Sequence, residues 1–379
     1  MNSKIWLSSP HMGGTERRFV TEAFDSNWIA PLGPNLNGFE QDLESYLLED
    51  SFVACVVSGT AAIHLALRLA GVSVGDEVLC QSFTFVATAN PIIYQGAIPI
   101  FIDSELDTWN MCTTALEEAI IDRISKGNKP KAILVVHLYG IPAKIIEIAA
   151  IAKKYDIVLI EDAAEALGSS FKGQKCGTFG DFGILSFNGN KIITTSGGGA
   201  LVCKTEVNKH KAVFLATQAK DTAPHYQHSE IGYNYRMSNV LAGIGRGQME
   251  VLDKHISLRR GMNQFYKALF KDIDGISILK EPSKDYYSNH WLTCILVDEA
   301  KVGFSREELR LHLEESNIES RPLWKPMHLQ PVFKDAAYYG GTVSESLFED
   351  GLCLPSGSNL SNNDRDRISK VINSFIHNL

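Results

Sequence analysis

Short continuous apolar runs alternate with helical patterns between about residues 50 and 205. The apolar residues of these runs are continuous rather than spaced two apart, which is typical of strands buried on both faces. The predicted strands are FVACVV, DEVLC, AIPIFID, KAILVVHLYG, IVLIED, GILSF and GALVCK. The predicted helices are SGTAAIHLALRLAG, TFVATANPIIYQG and PAKIIEIAAIAKKYD. Strand and helix in alternation predict an α/β fold with a mostly parallel sheet sandwiched by helices.

The pattern changes after about residue 250. The segment QMEVLDKHISLRRGMNQFYKALF predicts one long amphipathic helix, and it is followed by the strand-like run HWLTCILV and the helical run SREELRLHLEESN. Mixed elements of this kind predict a smaller α+β domain over residues 251–379. We expect a large domain over residues 35–250 and an irregular N-terminal arm over residues 1–34.

Composition narrows the function. The chain has 379 residues and a formal net charge of −8 with no basic stripe, so nucleic acid is not an expected partner. Its seven cysteines form no CxxC pair, which argues against a disulfide framework and against a metal site and fits a reducing cytoplasm. Because no apolar run approaches the roughly 18 residues of a membrane span, membrane insertion is not expected. The N-terminus lacks the apolar core of a signal peptide.

Ligands of open α/β sheets bind beyond the carboxyl ends of the strands, so the residues after each strand matter most. Ser58-Gly59-Thr60-Ala61 follows one strand and opens a helix. Small residues at a helix N-terminus let backbone N–H groups approach an anion such as a phosphate. The alternative is a plain helix cap formed by Ser58 or Thr60.

Two charged residues also follow strands. Asp162 ends IVLIED, where a carboxylate can hold a protonated pyridine nitrogen, although it can equally cap a following helix. Lys191 follows GILSF by a short loop, where apolar neighbours favour a neutral and nucleophilic amine. The alternative for Lys191 is a solvated lysine in a turn.

Phe83 and Phe85 follow the strand DEVLC, and an aromatic ring there either packs in the core or stacks on a flat cofactor. Each of these signals is weak alone. Together they describe a phosphate cradle, a ring stacker, an acid for a ring nitrogen and a lysine for an aldehyde. That set matches pyridoxal 5′-phosphate.

The sequence also resembles the DegT/DnrJ/EryC1/StrS group of nucleotide-sugar aminotransferases, which have fold type I of the pyridoxal-phosphate enzymes. The resemblance covers essentially the whole chain. The motifs that carry it are SNWIAPLGP (26–34), SGTAAIHLAL (58–67), QSFTFVATANPI (81–92), IEDAAEALGS (160–169), GTFGDFGILSFNGNKIITTSGGGAL (177–201), GYNYRMSN (232–239) and RPLWKPMH (321–328).

The resemblance implies a role for each matching residue. Lys191 would bond to the cofactor aldehyde, Asp162 would pair with the pyridine nitrogen, and Phe85 would stack on the ring. The phosphate would be held by Gly59, Thr60, Ser186 and, from the other subunit of a homodimer, Asn234. The substrate would lie near Trp28, Arg321 and His328.

Many members of the family have histidine or glutamine three residues after the aspartate, whereas this chain has Glu165, which would lie beside the cofactor ring. The motifs EDAAEALGS and RPLWKPMH are similar to the branch that aminates UDP-4-keto-6-deoxy-N-acetylglucosamine on the route to UDP-N-acetylbacillosamine, with glutamate as amino donor. Other GDP- or dTDP-linked 4-ketosugars remain alternatives. A dehydratase of the same fold and a non-enzymatic regulator are further alternatives, which Lys191 and the intact cofactor motifs disfavour.

The segment SFNGNKIITTSGGGAL surrounds Lys191. Its isoleucines and threonines predict a strand or extended segment that packs the lysine loop against the protein. The three glycines that follow predict close backbone approach and unusual backbone dihedral angles.

Overall fold

The computed structural model describes residues 3–48 and 51–377. The helices are α1 (Glu16–Asp25), α2 (Pro34–Leu47), α3 (Gly59–Leu69), α4 (Asn90–Tyr94), α5 (Thr113–Ser125), α6 (Ile145–Tyr155), α7 (Glu206–Ala216), α8 (Asn239–Met249), α9 (Leu252–Leu269), α10 (Glu299–Val302), α11 (Arg306–Glu315), α12 (Val343–Asp350) and α13 (Asn362–His377). The strands are β1 (Phe52–Val56), β2 (Glu77–Gln81), β3 (Ile98–Ile102), β4 (Ala132–Val136), β5 (Val158–Asp162), β6 (Ser170–Phe171), β7 (Gln174–Lys175), β8 (Phe182–Ser186), β9 (Gly199–Cys203), β10 (Ile276–Ile278), β11 (Tyr286–Tyr287), β12 (Thr293–Val297), β13 (Arg321–Pro322), β14 (Tyr338–Tyr339) and β15 (Gly351–Leu354).

The large sheet has the strand order β1-β9-β8-β5-β4-β2-β3-β14. Neighbouring strands from β8 to β14 are parallel, whereas β9 is antiparallel to both β1 and β8. The carboxyl ends of β1, β5 and β8 therefore meet at one edge of the sheet. This arrangement confirms the predicted mostly parallel sheet.

Strand β4 shows why both faces of this sheet are covered by helices. All of its residues are buried. Ile133 and Val135 pack in a core with Ile148 of α6, whereas Leu134 packs in a second core with Leu65 of α3. Since successive side chains of a strand point to opposite faces, a continuous apolar strand needs a helical layer on each side.

Residues 248–270, predicted as a single helix, form the end of α8 and all of α9. Helix α8 ends at Met249 and α9 begins at Leu252, with Val251 at φ −119° between them. Helix α8 packs against α1 and α2, where a Cβ on Gly245 would lie 2.6 Å from the Phe39 ring, whereas α9 packs against β12. The predicted long helix is therefore present as α9, but it begins at Leu252 rather than Gln248, because α8 and α9 have different packing partners.

A small antiparallel sheet has the order β10-β12-β15-β13 and packs with α9, α11 and α13 around an apolar core. This is the smaller α+β unit that the sequence predicts. However, β14 pairs with β3 of the large sheet, and the supposedly irregular arm contains α1. The proposed boundaries of residues 1–34, 35–250 and 251–379 stay predictions. Within the described residues, no helix has the length and apolar character needed to cross a membrane.

Candidate active site

Most residues predicted for the site line one cavity of about 280 Å³ at the carboxyl ends of the parallel strands. They come from the start of α3, the turn after β2, the ends of β5 and β8, and the loop between β8 and β9. The predicted residues that line the cavity are Gly59, Thr60, Phe85, Asp162, Glu165, Ser186 and Lys191. The structure thus brings together segments that are far apart in the chain.

The N-terminus of α3 opens into this cavity. Ser58 is the helix cap, because its hydroxyl accepts a hydrogen bond from the Ala61 N–H at 3.0 Å. The cap leaves the first N–H groups of the helix, on Gly59 and Thr60, without an intrahelical acceptor. A Cβ on Gly59 would lie 3.2 Å from the Ser186 Cβ, so a side chain would narrow the space beside the Ser186 hydroxyl. The cap and the anion cradle are therefore compatible interpretations of the same turn.

The glycines after the lysine loop lie close to the turn that forms this cradle. A Cβ on Gly199 would collide with the backbone of Ser58 and Gly59, and one on Gly198 would lie 2.6 Å from the Met237 Cε. The predicted close approach to another backbone is present at Gly199, whereas the atoms near Gly198 belong to side chains and a Cβ on Gly197 would have no neighbour within 4 Å. The left-handed conformation, however, falls on Ser196 (φ 71°) rather than on these glycines.

The lysine loop forms turns and bends between β8 and β9, so of the predicted strand or extended segment over its isoleucines and threonines the strand is absent. The isoleucines do pack the loop down, since Ile192 and Ile193 are buried in the apolar core beneath it. The Thr194 N–H donates to the Gln248 Oε1 at 3.1 Å, and the Thr195 N–H donates to the Phe187 carbonyl at 2.9 Å. Such side-chain and loop hydrogen bonds replace a strand ladder.

Asp162 is the last residue of β5 and is 5% exposed. Its Oδ2 accepts a hydrogen bond from the Thr88 hydroxyl at 2.7 Å, and its Oδ1 accepts one from the Ala164 N–H at 3.1 Å. The residues after Asp162 form turns rather than a helix, so the carboxylate caps a turn. Two fixed donors orient a buried carboxylate at the cavity wall.

The segment that holds Thr88 was predicted as a helix over TFVATANPIIYQG, but only α4 is helical there. Pro91 lies in the first turn of α4, the position that proline favours. The residues before α4 form turns, and the Thr88 N–H donates to the Phe85 carbonyl at 3.0 Å. This turn is what places the Thr88 hydroxyl on Asp162.

Lys191 and Glu165 form an ion pair inside the cavity, with 3.5 Å between Nζ and Oε1. The Glu165 Oε2 also accepts a hydrogen bond from the Tyr139 N–H at 2.7 Å. Burial raises the pKa of Glu165 above its ordinary value, although the nearby Lys191 ammonium opposes that shift. The cavity therefore holds two carboxylates, Asp162 and Glu165, against one lysine.

Aromatic side chains also line the cavity. Phe85 is half exposed and its ring lies 5.5 Å from that of Trp324, centroid to centroid. Phe83 is instead fully buried and packs edge-on against Tyr139, so the core interpretation holds for it. A flat ligand would therefore meet Phe85 rather than Phe83.

These residues fit pyridoxal 5′-phosphate. The cradle at α3 suits its phosphate, the exposed face of Phe85 suits its ring, and the surplus of carboxylate over ammonium suits a protonated pyridine nitrogen. The cavity volume lies near the lower end of the range of small-ligand sites.

Four predicted residues do not line this cavity in their own chain. Asn234 is exposed, and Trp28 is 39% exposed in the segment between α1 and α2. Arg321 pairs with Glu319 at 2.9 Å and lines a neighbouring cleft. The structure places His328 between the Ser82 hydroxyl, 2.6 Å away, and the Glu345 carboxylate, 3.1 Å away.

Several cavity residues were missed by sequence reasoning. Thr88 and Asn188 lay within quoted motifs but were not singled out. Trp324 also lay within a quoted motif, RPLWKPMH, whereas Trp291 lay outside all of them. Both tryptophans come from the C-terminal part of the chain, where no spacing relates them to Lys191. Their approach depends on how the small sheet packs, which no local pattern records.

Known proteins resemble the chain over nearly its full length. A model of the DegT/DnrJ/EryC1/StrS aminotransferase family matches residues 10–373. EpsN from Bacillus subtilis (strain 168), provisionally named a pyridoxal phosphate-dependent aminotransferase, is 52% identical over 100% of this chain and 97% of its own. A GDP-perosamine synthase from Escherichia coli O157:H7 is 39% identical over 98% of each chain. The solved structure of Spr1654 from Streptococcus pneumoniae, provisionally named a sugar aminotransferase and determined in its PLP form, matches with a TM-score of 0.89 and 26% identity over 99% of each chain.

Proposed function

The chain belongs to the DegT/DnrJ/EryC1/StrS aminotransferase family and is a pyridoxal phosphate-dependent sugar aminotransferase, and we propose that it transfers the amino group of glutamate to the C4 ketone of a nucleotide-linked 4-keto-6-deoxy sugar. One observation carries this proposal. The amine of Lys191 and the carboxylate of Asp162 line the same small cavity, which also contains a helix N-terminus.

When bound, pyridoxal phosphate supplies an aldehyde that carries the amino group and a ring that accepts electrons from the substrate carbon. The N–H groups of Gly59 and Thr60 and the Ser186 hydroxyl bind its phosphate. Asp162, held by Thr88 and the Ala164 N–H, keeps a proton on its ring nitrogen. Phe85 covers one face of the ring and excludes water from it.

Lys191 has two roles in this proposal. Its amine holds the cofactor before substrate arrives, and its Nζ then takes a proton from the substrate carbon that bears the amino group. The Glu165 carboxylate pairs with the ammonium form of Lys191, with 3.5 Å between Oε1 and Nζ, and keeps the lysine side chain within the cavity. In the second half reaction Lys191 would act in reverse, as a general acid that gives a proton to the C4 carbon of the sugar.

The substrate that we favour is UDP-4-keto-6-deoxy-N-acetylglucosamine, on the strength of EDAAEALGS and RPLWKPMH. A GDP-linked ketosugar is a second candidate, because a relative that is 39% identical is named a GDP-perosamine synthase. The two candidates differ in the nucleotide, and the cofactor cavity makes no distinction between nucleotides. We place the enzyme in the cytoplasm, where nucleotide sugars are made.

A panel of 4-keto-6-deoxy sugars linked to UDP, GDP and dTDP, each with glutamate, tests the substrate. Amination is read by mass spectrometry of the sugar nucleotide and by 2-oxoglutarate release. We expect the highest kcat/KM for the UDP-linked N-acetylhexosamine. A strong preference for the GDP- or dTDP-linked sugar would reject the UDP assignment. Absence of amination with every ketosugar, with the cofactor bound, would instead favour a dehydratase or a regulator.

We also propose a homodimer whose active sites are shared, with Asn234 serving the phosphate of the other subunit. Asn234 is exposed and does not line the cavity of its own chain. Exposed apolar side chains, among them Trp28, Ile29 and Leu32, provide a surface for association.

Mixed dimers of Lys191→Ala and Asn234→Ala test the shared site. Each variant alone is expected to be inactive or strongly impaired. Random mixing restores one complete site in half of the dimers, so activity returns to about a quarter of wild type. Failure of mixed dimers to regain activity, when both variants dimerise, would contradict a shared site.

A further inference from the structure

The indole of Trp291 lies against the amine of Lys191. Its ring centroid is 4.1 Å from the Lys191 Nζ, and the side chain is only 1% exposed. The Glu165 carboxylate lies 3.5 Å from the same nitrogen. The amine is therefore held between a carboxylate and an aromatic face, and both attract its charged form.

The Trp291 ring is itself fixed to the lysine loop. Its Nε1–H donates to the carbonyl of Asn190 at 2.8 Å, and Asn190 directly precedes Lys191. The Ser8 hydroxyl of the N-terminal segment donates to the same carbonyl at 2.7 Å. One side chain thus contacts both the backbone before the lysine and the amine at its tip.

Hydrogen bonds also anchor the backbone of Trp291. Its N–H donates to the Asn289 Oδ1 at 2.8 Å, and its carbonyl accepts from the buried Arg259 Nη1 at 2.6 Å. The amide of Asn289 also donates to the Glu165 carbonyl at 2.9 Å. Between these residues His290 adopts φ 47°, a conformation that is costly for a residue other than glycine. Strain at this position shows that the surroundings determine where the indole lies.

We propose that Trp291 is a positioning residue for Lys191: its indole face holds the lysine amine at the cofactor and its N–H fixes the loop that carries the lysine. This inference rests on the proposed role of Lys191 as the cofactor lysine. The face and the N–H have separable effects. The indole face contacts the lysine amine, whereas the indole N–H holds the loop in position.

The test follows capture of pyridoxal phosphate by the full chain freed of cofactor, and it gives two numbers: the affinity of the first, non-covalent complex and the rate of the bond to Lys191 that follows. Trp291→Leu removes both the indole face and the N–H, and we expect the rate of bond formation to fall by about tenfold while the affinity of the non-covalent complex stays within about twofold. Trp291→Phe keeps an aromatic face and loses only the N–H, so its rate is expected to lie between those of Trp291→Leu and wild type.

Trp6→Leu is the matched control, since it makes the same substitution at an exposed indole that contacts Lys4 rather than Lys191. Its rate of bond formation is expected to stay within about twofold of wild type. Equal rates in all four proteins would overturn the positioning role. Borohydride reduction and peptide mapping of the captured cofactor accompany each measurement, and a label on another lysine in wild type would overturn the proposed role of Lys191 instead.

A measurement on the wild-type side chains covers the case in which Trp291→Leu does not fold. The chain has five tryptophans, and 5-fluorotryptophan labelling gives each a ¹⁹F resonance. The resonance missing from Trp291→Phe is assigned to Trp291. We expect it to shift on cofactor addition in wild type and to shift less in Lys191→Met. A resonance that does not move on cofactor addition to wild type would overturn the inference.

Discussion

Two adjacent carboxylates at the end of strand β5 lie on opposite faces of the large sheet and have opposite surroundings. Glu161 is fully buried and its two oxygens accept four hydrogen bonds. The donors are the N–H groups of Gly177, Phe179 and Gly180 and the Nε2–H of His137. Asp162, one residue later, accepts from Thr88 and the Ala164 N–H and lines the cofactor cavity.

The difference separates a structural carboxylate from the one that we propose to act on the cofactor. Glu161 has no contact with the cavity, and its donors tie the turn before β8 to the sheet. The His137 Nδ1 accepts from the Ala143 N–H at 3.0 Å, so Nε2 is the ring nitrogen that donates to Glu161. Asp162 is oriented by two donors and keeps its remaining acceptor capacity for a ligand. The two carboxylates differ in whether their oxygens are saturated with hydrogen bonds, and not in how deeply they are buried.

The largest effect on the transamination rate is expected for Lys191→Ala. Loss of the proton-transferring amine should lower kcat by about 10⁴-fold while the fold and non-covalent cofactor binding persist. Steady-state kinetics with glutamate and the preferred ketosugar measures the loss. Lys254→Ala, an exposed lysine of α9, is the control and should keep full activity. An active Lys191→Ala enzyme would leave the cavity without its proposed nucleophile.

A smaller loss is expected for Asp162→Asn, which conserves volume but removes the charge that keeps a proton on the ring nitrogen. We expect kcat to fall by about 10²-fold with an unchanged melting temperature. Near wild-type turnover would mean that Asp162 serves only as the cap of its turn, and the contrast with Glu161 would then disappear.

Thr88→Val removes one of the two donors to Asp162 and keeps the shape of the side chain. A loss of about tenfold in kcat/KM is expected, the size of one hydrogen bond to a charged group. Thr84→Val is the control, because its hydroxyl contacts Thr88 rather than Asp162. Equal losses in both variants would show that the effect comes from packing of the turn.

The smallest effect on rate, and a large one on stability, is expected for Glu161→Gln. Each oxygen of Glu161 receives two donors, so the amide group of glutamine faces donors in either orientation. The free energy of unfolding should fall by about 1.5–3 kcal/mol, while kcat per folded molecule stays within about twofold. Denaturant unfolding and active-site titration give the two numbers. A rate loss without a stability loss would reverse the assignment of the two carboxylates.

Much of this site follows from sequence because its residues lie next to strand ends. Continuous apolar runs predict the strands, so Asp162 after β5 and Lys191 after β8 are placed at one edge without coordinates. Alternation along β5 further puts Glu161 and Asp162 on opposite faces. The sequence does not show which face of the sheet binds the cofactor, because the N–H groups that donate to Glu161 lie in a later turn, at residues 177–180.

The remaining features depend on long-range packing. Trp291 reaches Lys191 because Arg259 of α9 and Asn289 fix the segment that enters the small sheet, and neither residue has a local pattern that indicates this. The break between α8 and α9 likewise depends on their different packing partners. Because the helical periodicity of the sequence continues through this break, it did not predict where α8 ends.

The central claim is that Lys191 is the residue that bonds to pyridoxal phosphate. The most direct measurement is borohydride reduction of the cofactor-loaded wild-type enzyme, proteolysis, and mass spectrometry of the labelled peptide. We expect the mass of the reduced cofactor on Lys191 and on no other lysine. A label on any other lysine, with Lys191 unmodified, would contradict it.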